Sequence, residues 1–327
     1  MPSIADTVTE MVQWVFPEHA GAPGQIHGGR MMQWIATVGT IAASRVARGN
    51  VVLGAMDDID FLHPVKVGEV ALLRAQVEFV GRCSLEVGVR VYSENVTTGA
   101  RAVTLSSHLV FVKVDERIRP VPVPDAIHPR GADEAALFEA AQVRRRHRVE
   151  RLQRAASRAR DIADDGTEQL RWRFESSRSV LPEDTLFGST MFPGKLLMDV
   201  DEAGGILSMR YNRGLVMTAC LDALDFYAPI STHEVVTFKA GLNHVGSSSL
   251  EIGVKVLAEA PMTGEVRHAC TAYLTFVHLG PDMRPQPCRP FVPETPVERR
   301  RWHEALERRE RRLARVKQIR TSMHKGR

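Results

Sequence analysis

Two periodicities alternate along the chain, and each is met twice. Met31, Trp34, Ile35, Val38 and Ile41 recur at helical spacing, with Gly28-Gly29 just ahead of them where a tight entry turn suits glycine. Further on the period changes to two. Leu85, Val87, Val89 and Val91 alternate with Glu86, Gly88 and Arg90, and Leu250, Ile252, Val254 and Val256 repeat the alternation, which marks strands with one buried face. The pattern predicts helices over about 29–47 and 194–212. It predicts strands over about 51–61, 68–80, 84–94 and 101–113, each with a partner 165 residues later. The short turns Gly81-Arg82 and Gly246-Ser247 imply antiparallel hairpins. Ahead of each helix a short extended piece is expected to end in Pro-Glu, Val15-Phe16-Pro17-Glu18 and Val180-Leu181-Pro182-Glu183.

One offset relates the halves. Adding 165 carries Gly29 to Gly194, Arg45 to Arg210, Asp60-Phe61 to Asp225-Phe226 and Ser84-Leu85-Glu86 to Ser249-Leu250-Glu251. An ungapped repeat of roughly 100 residues is too long for chance. It divides the chain into a first module over 1–130, a charged helical linker over 131–165, a second module over 166–295 and a basic helix and tail over 296–327. Each module is one long helix followed by an antiparallel sheet, so the fold class is α+β.

Composition narrows the setting. No apolar run reaches the roughly 18–20 residues of a membrane span. Asp6 and Glu10 stand where a secretion signal would be basic and then apolar. Cys83, Cys220, Cys270 and Cys288 lack metal-type spacing and suggest reduced thiols in a cytoplasm. The net charge of +4 is concentrated in 144–160 and 299–327, where glutamates and helix formers accompany the arginines. Solvated amphipathic helices are expected there. Nucleic acid is not an expected partner, because interleaved aromatics and recognised binding motifs are missing.

Three short motifs, in order, carry a resemblance: Gly24-Gln25-Ile26-His27-Gly28-Gly29, Asp60-Phe61-Leu62-His63-Pro64-Val65, and Gly81 followed by Ser84-Leu85-Glu86-Val87. A helix wrapped by an antiparallel sheet and entered this way resembles the hotdog fold. The tandem arrangement resembles the double-hotdog acyl-CoA thioesterases of the cytosolic long-chain type, over nearly the whole chain. The resemblance implies hydrolysis of fatty acyl-CoA to fatty acid and coenzyme A, without metal or redox cofactor. It also implies a cytoplasmic homo-oligomer, a trimer of double hotdogs. A non-catalytic acyl-CoA-binding or regulatory hotdog protein is the alternative. A hydratase would use an Asp-x-Asn-Pro-x-His type of motif, and Asp58-Ile59-Asp60-Phe61-Leu62-His63 lacks the Asn-Pro.

The same resemblance implies an acid on the central helix, seven positions after the last glycine of the turn, and a polar residue, usually Asn, just before the turn of the other module. Seven from Gly194 is Asp201 and seven from Gly29 is Ala36, so only the second copy has the acid. Gln25 stands before the first turn and Thr190 before the second. The residues argue similarly on their own. Leu197, Asp201, Gly204 and Ser208 share one stripe of an otherwise apolar helix, where a carboxylate is costly unless paired or used. Amides opening the helix at Gly28 and Gly29 have no intrahelical partners and suit a carbonyl that gains charge, whereas Pro193 in the second turn has no N–H. His27 is a candidate substrate-binding group. Arg82, Ser247 and Ser248, at hairpin turns, are candidates for the coenzyme A phosphates. One complete site is therefore expected between the modules: Gln25, Gly28, Gly29 and Asp201.

Overall fold

In the computed structural model, residues 2–21, 24–158, 166–187 and 189–325 are described. The first half runs β1 (Thr9–Trp14), α1 (Gly28–Ala47), β2 (Val51–Met56), β3 (Ile59–Asp60), β4 (Val70–Val80), β5 (Ser84–Glu94) and β6 (Arg101–Lys113), followed by α2 (Gly131–Arg158). The second runs β7 (Arg173–Ser179), β8 (Thr185–Leu186), β9 (Thr190–Met191), α3 (Pro193–Asn212), β10 (Leu215–Leu221), β11 (Leu224–Asp225), β12 (Val235–Val245), β13 (Ser249–Ala260) and β14 (Glu265–Leu279), followed by α4 (Pro296–Lys325). The expected central helices and strands are present, except that the strand expected over about 51–61 and its partner are each broken in two, into β2 and β3 and into β10 and β11. The opening strands lie earlier than expected, at β1 and β7. The two Pro-Glu segments instead enter 3-10 turns, Pro17–His19 and Pro182–Asp184, because proline fixes the backbone bend and offers no N–H to a ladder.

Each central helix lies against its own sheet. On α1, Met31, Met32, Ile35, Ala36 and Val38 are fully buried, and Leu85, Val87 and Val91 of β5 are buried with them in one core. Each such aliphatic side chain contributes about 1.5–3 kcal/mol on burial. The two sheets have matching strand orders, β1-β4-β5-β6-β2-β11 and β7-β12-β13-β14-β10-β3. The last strand of each belongs to the other half. Asp225 of β11 pairs with Ala55 of β2, and Asp60 of β3 pairs with Cys220 of β10, all antiparallel. This exchange fastens the halves together by backbone hydrogen bonds.

The central helices also touch each other closely. A side chain on Gly29 would place its Cβ 2.8 Å from Met198 Cα, and one on Gly194 would lie 3.1 Å from Gln33 Cα. Glycine is therefore required at 29 for helix approach, and at 194 any side chain would crowd the facing helix. The contact places the start of each helix beside the middle of the other.

The appended helices depart from the solvated faces expected. Arg144 of α2 binds Glu78 and Glu86 at 2.8 and 2.7 Å, Arg148 binds Asp57 at 3.0 Å and also pairs with Glu86, and Arg151 crosses to Asp225 at 2.7 Å. On α4, Arg308 binds Glu251 at 2.7 Å, Arg312 binds Asp222 at 3.2 Å and Arg315 crosses to Asp60 at 2.6 Å. Glu78, Glu86 and Glu251 are buried carboxylates of the strands, and burial without a partner charge is costly. The helices supply that charge and bolt the exchanged strands. Their register falls one residue short of the offset relating the sheets: Arg308, Arg312 and Arg315 answer Arg144, Arg148 and Arg151.

Candidate active site

Asp201 sits midway along α3 with its side chain about 1% exposed. The helix approach brings it beside the first turn of α1. Its Oδ2 accepts the Gly29 N–H at 2.8 Å, and its Oδ1 accepts the Thr218 hydroxyl at 2.8 Å. His27 Nδ1 lies 3.5 Å from Oδ2. Burial pushes the Asp201 carboxyl up from the usual carboxylate range. It is opposed, in decreasing order, by the charge His27 carries when protonated, the Thr218 hydroxyl and the Gly29 amide. The positive end of α1 also favours the carboxylate form.

Local sequence explains each placement. His27 is the extended residue just before α1, so its C=O opens the helix by accepting the Met31 N–H. Gly28 has Thr218 pressed against it: a Cβ there would lie 2.6 Å from Thr218 Cβ. Thr218 is set by a register shift in β10, between Thr218 and Cys220 against β14. Such a bulge re-aims a side chain. The same shift recurs between Leu53 and Ala55 in β2, so the backbone device is common to both halves and only the side chain differs.

The expected residues are thus brought together in part. Asp201, His27, Gly28 and Gly29 form one cluster. The Gly29 amide, expected to face a carbonyl, is already engaged by Asp201. Gln25 pairs through its backbone with Lys66, and its Oε1 is buried with no hydrogen-bond partner among the described residues. The coenzyme A candidates are not part of this cluster: the carbonyls of Arg82, Ser247 and Ser248 accept N–H groups of Val123, Cys288 and His278, which joins these turns to the proline segments and β14. Asp199 pairs with Arg178 at 2.7 Å and Glu202 is exposed, so neither of these nearby acids joins the cluster. Asp58 accepts the Ala223 N–H at 3.0 Å and pairs with Arg315 at 2.9 Å, a structural role at the exchanged strands.

Thr218 was missed in the sequence. Its signal was available: the counterpart 165 residues earlier is Leu53, another polar-to-apolar mismatch.

Comparison with known proteins gives the same reading of both halves. A family model described as the thioesterase superfamily matches residues 23–100 and again 188–265. The human cytosolic acyl coenzyme A thioester hydrolase is 28% identical over 88% of this chain and 79% of its own length. An uncharacterized acyl-CoA thioester hydrolase of Bacillus subtilis (strain 168) is 38% identical, over 46% of this chain and 87% of that protein. Among solved structures, an acyl-CoA hydrolase from Bacillus cereus matches with a TM-score of 0.47 at 28% identity, covering 50% of this chain and 99% of its own. With the family's domain matched twice and a 38% identical relative covered over 87% of its length, the chain belongs to the thioesterase superfamily, as a tandem of hotdog folds.

Proposed function

We propose that the protein hydrolyses fatty acyl-CoA to free fatty acid and coenzyme A, at one active site per chain between the two hotdogs. The observation that carries this is the asymmetry of the cluster. Carboxylate, hydroxyl, imidazole and a Gly-Gly turn meet at Asp201, whereas the pseudo-equivalent positions hold Ala36, Leu53, Phe192 and Pro193-Gly194, so the first three groups are lost and the turn keeps one of its two amides. The names of the relatives support acyl-CoA thioesters as the substrate class.

In this reading Asp201 takes a proton from water while the water oxygen bonds to the thioester carbonyl carbon. The carbonyl oxygen gains charge beside the Gly28 amide at the positive end of α1. The C–S bond then breaks, and the coenzyme A thiolate leaves with the proton. Direct attack by Asp201, through an anhydride, uses the same atoms. Gln25 Oε1, buried and unpartnered among the described residues, is suited to hold the water. Neither route requires a metal or redox cofactor. The reading also carries the division at 1–130, 131–165, 166–295 and 296–327, a cytoplasmic location in line with relatives named cytosolic, and a trimer of double hotdogs.

One observation favours the alternative, a binder without turnover: both oxygens of Asp201 are already hydrogen-bonded and the residue is almost completely enclosed. The deciding assay offers acyl-CoAs of several chain lengths and follows free thiol. Release that falls in Asp201→Asn supports hydrolysis. Binding with no release at any chain length establishes the binder.

A further inference from the structure

A cavity lies not at Asp201 but at its pseudo-symmetric counterpart. It holds about 260 Å³ and opens between β2, the β9–α3 turn and the segment after β11. Leu53, Thr190, Phe192, Pro193 and Leu196 are in its wall. They stand where Thr218, Gln25, His27, Gly28 and Met31 stand at the other end. Thr40, also in the wall, lies one turn beyond Ala36 and spends its hydroxyl on the Ala36 carbonyl at 2.7 Å. The Thr190 hydroxyl oxygen is different: it is buried, and among the described residues it has no hydrogen-bond partner.

These changes have one direction. A carboxylate, a hydroxyl, an imidazole and one turn amide have given way to Ala36, Leu53, Phe192 and Pro193, while Gly194 keeps the helix-entry glycine and a cavity lies at this end. A dry apolar cavity of about 150 Å³ is enough to hold benzene, so this one has room for a longer alkyl segment. The walls can hold an alkyl chain, and the buried Thr190 hydroxyl can donate to an oxygen at the end of it.

We propose that this second site binds a linear fatty acyl chain without cleaving it, with the carbonyl end at Thr190. The acyl-CoA reading enters only in the choice of ligand. The chemistry is common to an intact acyl-CoA and to the free fatty acid, and the experiment separates the two.

Calorimetric titration of the full chain would use hydrolysis-resistant 2-oxoalkyl thioether analogues of octanoyl-, dodecanoyl- and hexadecanoyl-CoA, which keep the carbonyl oxygen, and in parallel the matching free acids. The wild type is expected to bind two equivalents per chain. Asp201→Asn is expected to keep both, so a failure of hydrolysis and a failure of this proposal are read separately. Leu53→Trp fills the cavity and should leave one equivalent, with circular dichroism confirming that it folds. Thr190→Val, a smaller change, should weaken the second site about threefold to tenfold, the worth of one hydrogen bond. Saturation of the second site by free acid makes the product the ligand, and saturation only by the thioether analogues makes it the intact thioester. A single equivalent on the wild type with every probe, or an undiminished second equivalent in the folded variants, overturns the proposal.

Discussion

The two ends of the paired central helices share a backbone and differ in chemistry. At one end Asp201 caps the start of α1 from the opposite module and meets Thr218 and His27. At the other, the same bulge and helix entry hold Leu53, Phe192 and Pro193 around a cavity. A symmetric homodimer cannot do this, because any change in one site appears in both. Fusing two modules in one chain releases that constraint. On the proposed function each half need carry only part of one site: the first has the His-Gly-Gly turn, the second the acid and the hydroxyl.

The comparison breaks first at Asp201. Asp201→Asn retains an acceptor for the Gly29 N–H and the same shape, so the fold should persist. Loss of the base should lower kcat by about 10²–10⁴-fold, measured as thiol release. Undiminished turnover would remove the basis for calling the two ends chemically different. The converse substitution, Ala36→Asp, should create no second activity. The new carboxylate would face Leu53 in place of a hydroxyl and Phe192 in place of an imidazole, with the Gly194 N–H as its one counterpart donor, and burying it with so few partners should cost about 2–5 kcal/mol in chemical denaturation. Adding Leu53→Thr should recover about 1 kcal/mol by restoring one hydrogen bond.

Much of this was legible in the sequence because it is written in period and offset. The helices at Gly28–Ala47 and Pro193–Asn212 and the long strands follow from buried positions spaced three to four or two apart. The Asp201 mismatch follows from counting. What stayed hidden depends on distant parts of the chain. The exchange of β3 and β11 joins residues about as far apart as the repeat itself, and nothing local in Ile59-Asp60 or Leu224-Asp225 names the partner. The charged helices look solvated in one dimension because their carboxylate partners sit on strands far away in sequence. Thr218 is hidden for a third reason: a bulge, which no alternation pattern marks, turns it toward Asp201.

The helical bolts allow a finer comparison, of the two latches. Asp57 under α2 and Asp222 under α4 are counterparts, and burial pushes both carboxyls up, Asp222 to about 6. A carboxyl raised in the fold is most compatible with it below its ordinary range, near 3.8, and stability is lost as pH rises from there through about 6. The full penalty for Asp222 is about 3 kcal/mol. Asp222→Asn should therefore raise stability near pH 8 by up to about 3 kcal/mol and change little below pH 4, read from urea unfolding at both values. A gain of equal size at both pH values would mean that ionisation of Asp222 is not the cause.

The smallest effect is expected at Thr218, and it tests whether the missed residue tunes the base or only packs beside it. The hydroxyl bonds the ionised form of Asp201 and so holds its pKa below where burial alone would put it. General-base catalysis needs the carboxylate, so kcat/KM falls as pH falls through that pKa. Thr218→Val keeps the branched shape and removes the donor. The acid limb of the pH profile should then move to higher pH. About a tenfold loss is expected on the limb, the worth of one charge-assisted hydrogen bond, shrinking toward alkaline pH where Asp201 is ionised in both proteins. A purely structural role would lower the whole profile without moving the limb. Because Leu53 occupies the same backbone position, the matching Leu53→Val change should leave the limb in place, so that a shift confined to Thr218→Val assigns the difference between the two ends to a single hydroxyl.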